Sequence, residues 1–407
     1  MPEPHPLPSF EEARHIVEQH AAGRHPGAKE LVELLDGNRR VLAEALSADR
    51  NFPPFPRAAR DGYAVRAADL AQLPAILDVV GEIKAGAAPG TAIEVRRGQA
   101  AVIMTGAPAP AGADAVVMIE YTKQEGSRVK VEQGVAAAAN IVPTGSEAKR
   151  GEQLLAPGTV LDQAAIAVAA SVGRSRVLVY EKPRVAVLST GDEIVDIEIQ
   201  PGAYQIRNSN TYSLAAQIQD AGGEPMLLPV APDQPARLRE LVLDGLEADL
   251  LLLAGGVSMG KYDFVEPVLA ELGAEFFFTG AQIQPGRPIV FGRVQERYFF
   301  GLPGNPVSTM VTFELFVRPM LEALAGMLPR KLKFLRAKLK SEITTKTGMK
   351  RFLPGRLSGE FEDTWVDLAA WHGSGDVAAT ARADCYIVIP PDRGRIPAGE
   401  WVPVLPR

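Results

Sequence analysis

Acid-bearing turns recur between residues 190 and 263. Thr190-Gly-Asp-Glu193, Ala231-Pro-Asp-Gln234 and Gly255-Gly-Val-Ser-Met-Gly260 with Lys261-Tyr-Asp263 each follow an apolar run, and Gly301-Leu-Pro-Gly-Asn-Pro306 follows another. If those runs are parallel strands, Asp192, Glu193, Asp233 and Asp263 fall along one rim. Carboxylates placed so can hold Mg²⁺ together with water, the metal bridging a phosphate-bearing ligand. The competing reading of each acid alone is a solvated turn or a helix N-cap. Gly255-x-x-x-x-Gly260-Lys261 approaches the phosphate-binding loop GxxxxGK[ST], but Tyr262 replaces the small hydroxyl residue that ligates the metal. That disfavours an NTPase and leaves a glycine loop that admits a phosphate or oxyanion to the backbone. Asn305 followed by Pro306, with Ser308 in the first turn, marks a helix start whose N–H groups favour a second anion. From Arg330 to Arg351 there are nine Lys or Arg against the single acid Glu342, either a solvated strand face or a positive wall for an anionic ligand.

The elements that must carry these turns alternate from Pro183 onward. Strands are expected at Arg184 to Ser189, Pro225 to Val230, Asp249 to Ala254, Glu275 to Thr279, Ile289 to Arg293 and Arg297 to Phe300. Helices are expected at Asn208 to Ala221, Pro235 to Leu246, Phe264 to Leu272 and from Pro306 to about Ala325. Alternation of this kind predicts a mainly parallel, doubly wound sheet, with ligands in the crevice beyond the carboxyl ends of its strands. Upstream, Ser9 and Glu12 form a capping-box signature before an amphipathic helix, and Ala28 to Leu46 reads as a second helical stretch. Short β runs separated by turns fill 60 to 142. A strand, the helix Gln163 to Val172 and a further strand lead to Tyr180. The expected fold class is α/β multidomain. A mixed helical and linker domain (8–53 with 143–182) and a small mainly β domain (54–142) precede the α/β domain (183–328) and a C-terminal β-barrel-like domain (329–407).

Composition narrows the function. Lys and Arg number 43 against 49 Asp and Glu, a net charge of −6, so a nucleic-acid partner is not expected. Cys385 is the single cysteine; it sits in the strand-like run Asp384 to Ile389 and reads as a buried apolar side chain, fitting a reducing compartment. His5, His15, His20 and His25 lack metal-ligand spacing and read as solvated helix surface. Nothing resembles a signal peptide or a membrane span, and a cytoplasmic protein is expected.

Seven peptides, in order, resemble one family: Asp61-Gly-Tyr-Ala64, Met104-Thr-Gly-Ala-Pro-Ala-Pro-Ala-Gly-Ala-Asp-Ala-Val-Val117, Ser189-Thr-Gly-Asp-Glu193, Gly255 to Gly260, Pro285-Gly-Arg-Pro288, Gly301-Leu-Pro-Gly-Asn-Pro-Val-Ser308 and Gly373-Ser-Gly-Asp376. Together they are similar to the molybdopterin molybdenumtransferases of the MoeA and gephyrin E-domain type. The resemblance implies an enzyme that takes adenylylated molybdopterin and molybdate, uses Mg²⁺, releases AMP and leaves molybdenum on the pterin dithiolene. It implies an elongated homodimer of four subdomains, with the adenylyltransferase of the same route and downstream molybdoenzymes as partners. Carried over by motif, Asp61 and Thr105 belong to the small β domain. Glu193, Asp233 and Asp263 form the acidic, metal-binding part of the cleft, and Pro303 and Pro306 shape its edge. Ser258, Arg287, Ser308 and Ser374 face the oxyanion or phosphates. The chain departs from the family pattern at Pro56-Arg-Ala-Ala-Arg60, at Gln284, where a lysine is usual, and around Glu147. Two other classes stay open: a non-catalytic scaffold, and a phosphotransferase using the Gly255 loop.

Overall fold

The computed structural model describes residues 7–86, 93–257 and 263–407. The chain divides into two compact units, one of 44–156 with 167–175 and one of the remaining segments.

In the smaller unit six strands form a curled sheet in the order Ala115–Met118, Gly62–Val65, Gln99–Ile103, Ala75–Ile83, Arg128–Val131, Thr122–Glu125. Side chains alternate between its faces, as strand geometry requires. Tyr63, Val65, Leu77 and Val117 pack in one apolar cluster, while Ala64, Ala101 and Val116 pack in another. The expected mainly β character of this region is what the strands show.

The larger unit is built on a second six-stranded sheet, ordered Glu224–Leu227, Arg184–Ser189, Leu250–Ala254, Arg297–Leu302, Val290–Val294, Glu275–Phe278. The first four strands run parallel, Val290–Val294 runs against them, and Glu275–Phe278 pairs antiparallel to Val290–Val294. The Leu250–Ala254 run has no polar face because both faces are covered. Val187, Leu250 and Leu252 pack with Leu214 and Ile218 of helix Ser209–Asp220 and with Val17 of helix Phe10–Ala22. Leu188, Leu251 and Leu253 pack with Leu241 and Val242 of helix Pro235–Gly245 and with Val268 of helix Val265–Glu271.

The same unit ends in five strands, Leu335–Leu339, Lys350–Ser358, Trp365–Leu368, Cys385–Ile389 and Trp401–Pro406, whose pairings close on themselves as a barrel. Cys385, Ile387 and Ile389 point into it, while Tyr386 and Val388 face the main core. Burial pushes the Cys385 thiol up to about 12, consistent with an inert packing residue.

Three local expectations fail for physical reasons. Residues 28–46 are not a helix: Lys29–Glu33 is a strand paired antiparallel to Arg176–Tyr180, so its backbone groups find partners 140 or more residues away rather than one turn away. The helix expected from Pro306 to about Ala325 contains a π turn at Phe313–Val317. Pro319 has no N–H to give to the Leu315 carbonyl, and the buried guanidinium of Arg14 donates to that carbonyl instead. His20 is not solvated surface, since its ring stacks on Phe277 at 3.9 Å and its Nδ1 hydrogen-bonds Tyr298 Oη at 3.2 Å. Burial pushes its pKa below the ordinary histidine range.

Candidate active site at the carboxyl ends of the parallel strands

Because the strands are parallel, the turns after them emerge at one edge of the sheet. Backbone bonds hold these turns in register: Thr190 N–H donates to Ala254 O at 3.1 Å, Gly191 N–H to Ala231 O at 3.1 Å, and Gly255 N–H to Leu302 O at 3.0 Å. They surround a cleft of about 670 Å³.

One wall is acidic. Glu193, Asp233 and Asp263 line the cleft, and the Asp233 N–H donates to Asp192 Oδ1 at 3.0 Å. The Asp233 carboxyl is raised above the usual carboxylate range, first by burial and then by the charges of Asp192, Glu193 and Asp263. Glu266 is raised by burial and by Asp263. The charges of the acids expected along one rim thus fall near enough to Asp233 to oppose its ionisation. Among the described residues, no group of three or more His, Cys, Asp or Glu side chains is arranged to hold a metal ion by itself.

Gly191 places Glu193. Its φ is +137°, and a Cβ there would lie 2.5 Å from Glu193 Oε2, so the missing side chain is the space into which the carboxylate folds back. At Gly256 φ is +65°, and a Cβ would meet Thr190 Oγ1 at 2.9 Å. The first glycines of the Gly255 loop thus lie against the end of the neighbouring strand. Ser258, with Lys261 and Tyr262, lies outside the described residues.

The Gly301 loop lines the same cleft through Pro303, Gly304, Asn305 and Pro306. Asn305 precedes helix Pro306–Thr312 as expected, but its side chain makes no capping bond. The Val307 N–H donates to Ser374 O at 3.0 Å, so part of the helix start secures a neighbouring loop. Ser308 is buried and Arg287 is exposed, and neither lines the cleft; Pro288 does, beside Arg287, and Gly375 does, beside the half-buried Ser374. Four of the nine basic residues of 330–351 make contacts of their own. Lys338 lies over the rings of Trp365 and Trp401, Arg330 pairs with Glu322, Lys350 with Glu11, and Arg351 donates to Lys346 O.

Asp61 and Thr105 belong to the smaller unit and meet each other there. Asp61 Oδ1 accepts from both the N–H and the Oγ1 hydroxyl of Thr105, each at 2.6 Å. Those two bonds hold the Asp61 carboxyl below its ordinary range.

Sequence reasoning missed the stretch Arg207 to Asn210, all of which lines the cleft. Short parallel pairing of Ile194–Val195 with Ile206–Arg207 folds this stretch back beside Glu193. Asn208 then caps helix Ser209–Asp220, its Oδ1 accepting from Thr211 N–H at 3.2 Å and from Ser189 Oγ at 3.3 Å. Asn210 Nδ2 donates to Gly304 O at 2.7 Å, joining this helix to the Gly301 loop. The signal was present as Asn-Ser-Asn at a helix start.

The mainly parallel sheet with a cleft at its strand ends, together with a curled sheet and a closed barrel, defines a multidomain protein of α/β type. Three family profiles match in chain order: the MoeA N-terminal region (domains I and II) over 8–173, a probable molybdopterin binding domain over 186–323, and the MoeA C-terminal region (domain IV) over 336–406. A molybdopterin molybdenumtransferase of Nostoc is 36% identical over 390 residues, spanning 92% of this chain and 88% of that one. Molybdopterin molybdenumtransferase 1 of Mycobacterium tuberculosis is 34% identical over 92% of this chain and 93% of its own length. Among solved structures, the molybdopterin biosynthesis MoeA protein of Pyrococcus horikoshii OT3 superposes with a TM-score of 0.76 at 30% identity, covering 98% of this chain and all (100%) of that one. The chain belongs to the molybdopterin molybdenumtransferase family, transferases of molybdenum cofactor biosynthesis.

Proposed function

We propose that the cleft binds adenylylated molybdopterin and molybdate, that water cleaves the phosphoanhydride to release AMP, and that molybdenum passes to the pterin dithiolene. The observation that carries this reading is that Glu193, Asp233 and Asp263 line one cleft together with the Gly301 loop, beyond the strand ends. Read as a doubly wound domain, the central sheet puts its ligand there.

Mg²⁺ belongs to the same proposal. A magnesium ion takes one or two carboxylates and completes its shell with water and substrate phosphates, so a three-acid cage is not what it requires. The raised Asp233 carboxyl, opposed by three neighbouring acids, is a donor that a cation would favour. One or two of Glu193, Asp233 and Asp263 would hold the ion directly and the rest through its water, and it would supply charge neutralisation at the phosphates. Pro303 and Pro306 fix the loop that flanks the reacting groups. Arg287, Ser258, Ser308 and Ser374 are proposed to steady the oxyanion or phosphates, and Asp61 and Thr105, bonded to each other, are proposed as catalytic residues. No protein thiol is needed, because the sulfur ligands belong to the pterin. A homodimer in the cytoplasm, handling material from an adenylyltransferase and supplying molybdoenzymes, completes the reading.

The test is AMP release by purified protein given adenylylated molybdopterin, molybdate and Mg²⁺. Molybdate-dependent release is expected from the wild type and not from a folded Asp263→Ala variant. No molybdate-dependent release by the wild type would overturn the proposal.

A further inference from the structure

The cleft carries one cation that its acids leave free. Among the described residues that line it, Arg207 is the only lysine or arginine, against Glu193, Asp233 and Asp263. Arg207 is exposed, so a ligand in the cleft can reach it. Its backbone is paired with Val195, and the N–H of the preceding residue, Ile206, donates to Glu193 O at 2.8 Å. An acid is therefore close at hand, yet the Glu193 carboxylate folds back over Gly191, and no carboxylate among the described residues pairs with the guanidinium. Exposed arginines elsewhere in the chain, such as Arg96, Arg128, Arg176 and Arg395, do hold carboxylates. The one bond that the Arg207 side chain makes is to a neutral acceptor, from Nη2 to Gln200 Oε1 at 3.2 Å. Bonds to a charged acceptor are about twice as strong as neutral ones, so an anion in the cleft outcompetes that tie.

We infer that Arg207 binds a tetrahedral oxyanion of the ligand, setting two N–H groups of its fork on two oxygens, at the Glu193 end of the cleft. This rests on the proposed function and adds to it a residue that the motifs did not point to. The three acids repel the anionic ligand that the cleft is to hold, and Arg207 supplies a fixed positive charge that no other described residue of the lining has. The planar fork suits the adenylate phosphate and molybdate alike, since both present pairs of oxygens.

Calorimetric titration of the full chain at fixed Mg²⁺ tests this in two arms, AMP against adenosine and molybdate alone. Arg207→Ala should weaken AMP, molybdate or both by roughly ten- to a hundredfold, the size of one charge-assisted hydrogen bond, and leave adenosine unaffected. The arm that weakens names the ion. Arg207→Lys keeps the charge without the fork and should restore part of the loss. Arg395→Ala removes the same charge from a residue that does not line the cleft and should change neither ion. Gln200→Ala removes only the neutral tie and should weaken neither ion. Unchanged affinity for both ions in Arg207→Ala, or adenosine weakened as much as AMP, would overturn the assignment. So would an equal loss in Arg395→Ala, which would make the effect one of net charge, or in Gln200→Ala, which would mean that the arginine acts by holding its loop. In each of those cases the cofactor reading stands. If the wild type binds neither AMP nor molybdate, both fall.

Discussion

Gly191→Ala separates what a glycine does for stability from what it does for the cleft. Gly191 has φ +137°, and an added Cβ would stand 2.5 Å from Glu193 Oε2 and 2.9 Å from Glu193 Cδ and Oε1. Ordinary separations between non-bonded heavy atoms are about 3.5 Å, so the carboxylate must withdraw by roughly 1 Å. A glutamate tip swings away easily, so that displacement adds little to the stability loss, which comes from the backbone conformation at about 1–3 kcal/mol. Gly273→Ala is the control, with φ +78° and no atom within 4 Å of the added Cβ. Urea denaturation should show both variants destabilised by comparable amounts. AMP release should fall only in Gly191→Ala, by about ten- to a hundredfold, the scale on which a 1 Å misplacement acts. In a Glu193→Ala background the same substitution should change the rate no further. A Gly191→Ala variant with wild-type turnover, or one whose loss multiplies with that of Glu193→Ala, would refute the claim that the glycine acts by placing this carboxylate.

Asp233→Asn should remove a carboxyl whose ionisation the fold resists. Because the folded-state pKa is raised, stability falls as pH rises from the ordinary carboxylate value through the folded one. The variant should therefore be more stable than the wild type at pH 7 and lose that advantage below about pH 4, as thermal unfolding across pH would show, while AMP release is lost. Thr105→Val deletes one of the two bonds holding Asp61 ionised and should raise the Asp61 carboxyl pKa toward its ordinary value, read by NMR titration; an unmoved pKa would deny the hydroxyl a part. Arg14→Met should leave the Leu315 carbonyl unpaired at the proline-interrupted helix and cost about 1–3 kcal/mol in urea denaturation. A loss under about 0.5 kcal/mol would mean that another group takes over that carbonyl.

What the sequence made legible is what depends on a residue and its near neighbours. The capping box at Ser9 forms as read, with Glu12 N–H donating to Ser9 Oγ at 3.2 Å and Ser9 N–H to Glu12 Oε2 at 2.8 Å. The five-residue apolar run Leu250–Ala254 is a strand buried on both faces because no alternating pattern could leave one face wet. The strand Lys29–Glu33 was illegible for the converse reason. Its partner lies at Arg176–Tyr180, and the exposed Leu31 and Leu35 mimic a helical spacing that packing does not use.

The site divides along the same line. Glu193, Asp233 and Asp263 could be placed on one rim because each stands within a few residues of an element end, and a parallel sheet brings those ends together without any further contact. Asn210 was legible only as part of a helix start, since its place on the cleft depends also on the two-residue pairing of Ile194–Val195 with Ile206–Arg207, too short for any periodicity to announce. Local pattern therefore locates the charged wall, while the neutral hydrogen-bonding wall is set by long-range closure of the chain. Charge alone would accept any cation-bound phosphate. Directional groups such as the Asn210 amide, which ties one helix start to the Gly301 loop, become visible only once the fold has brought Gly304 alongside.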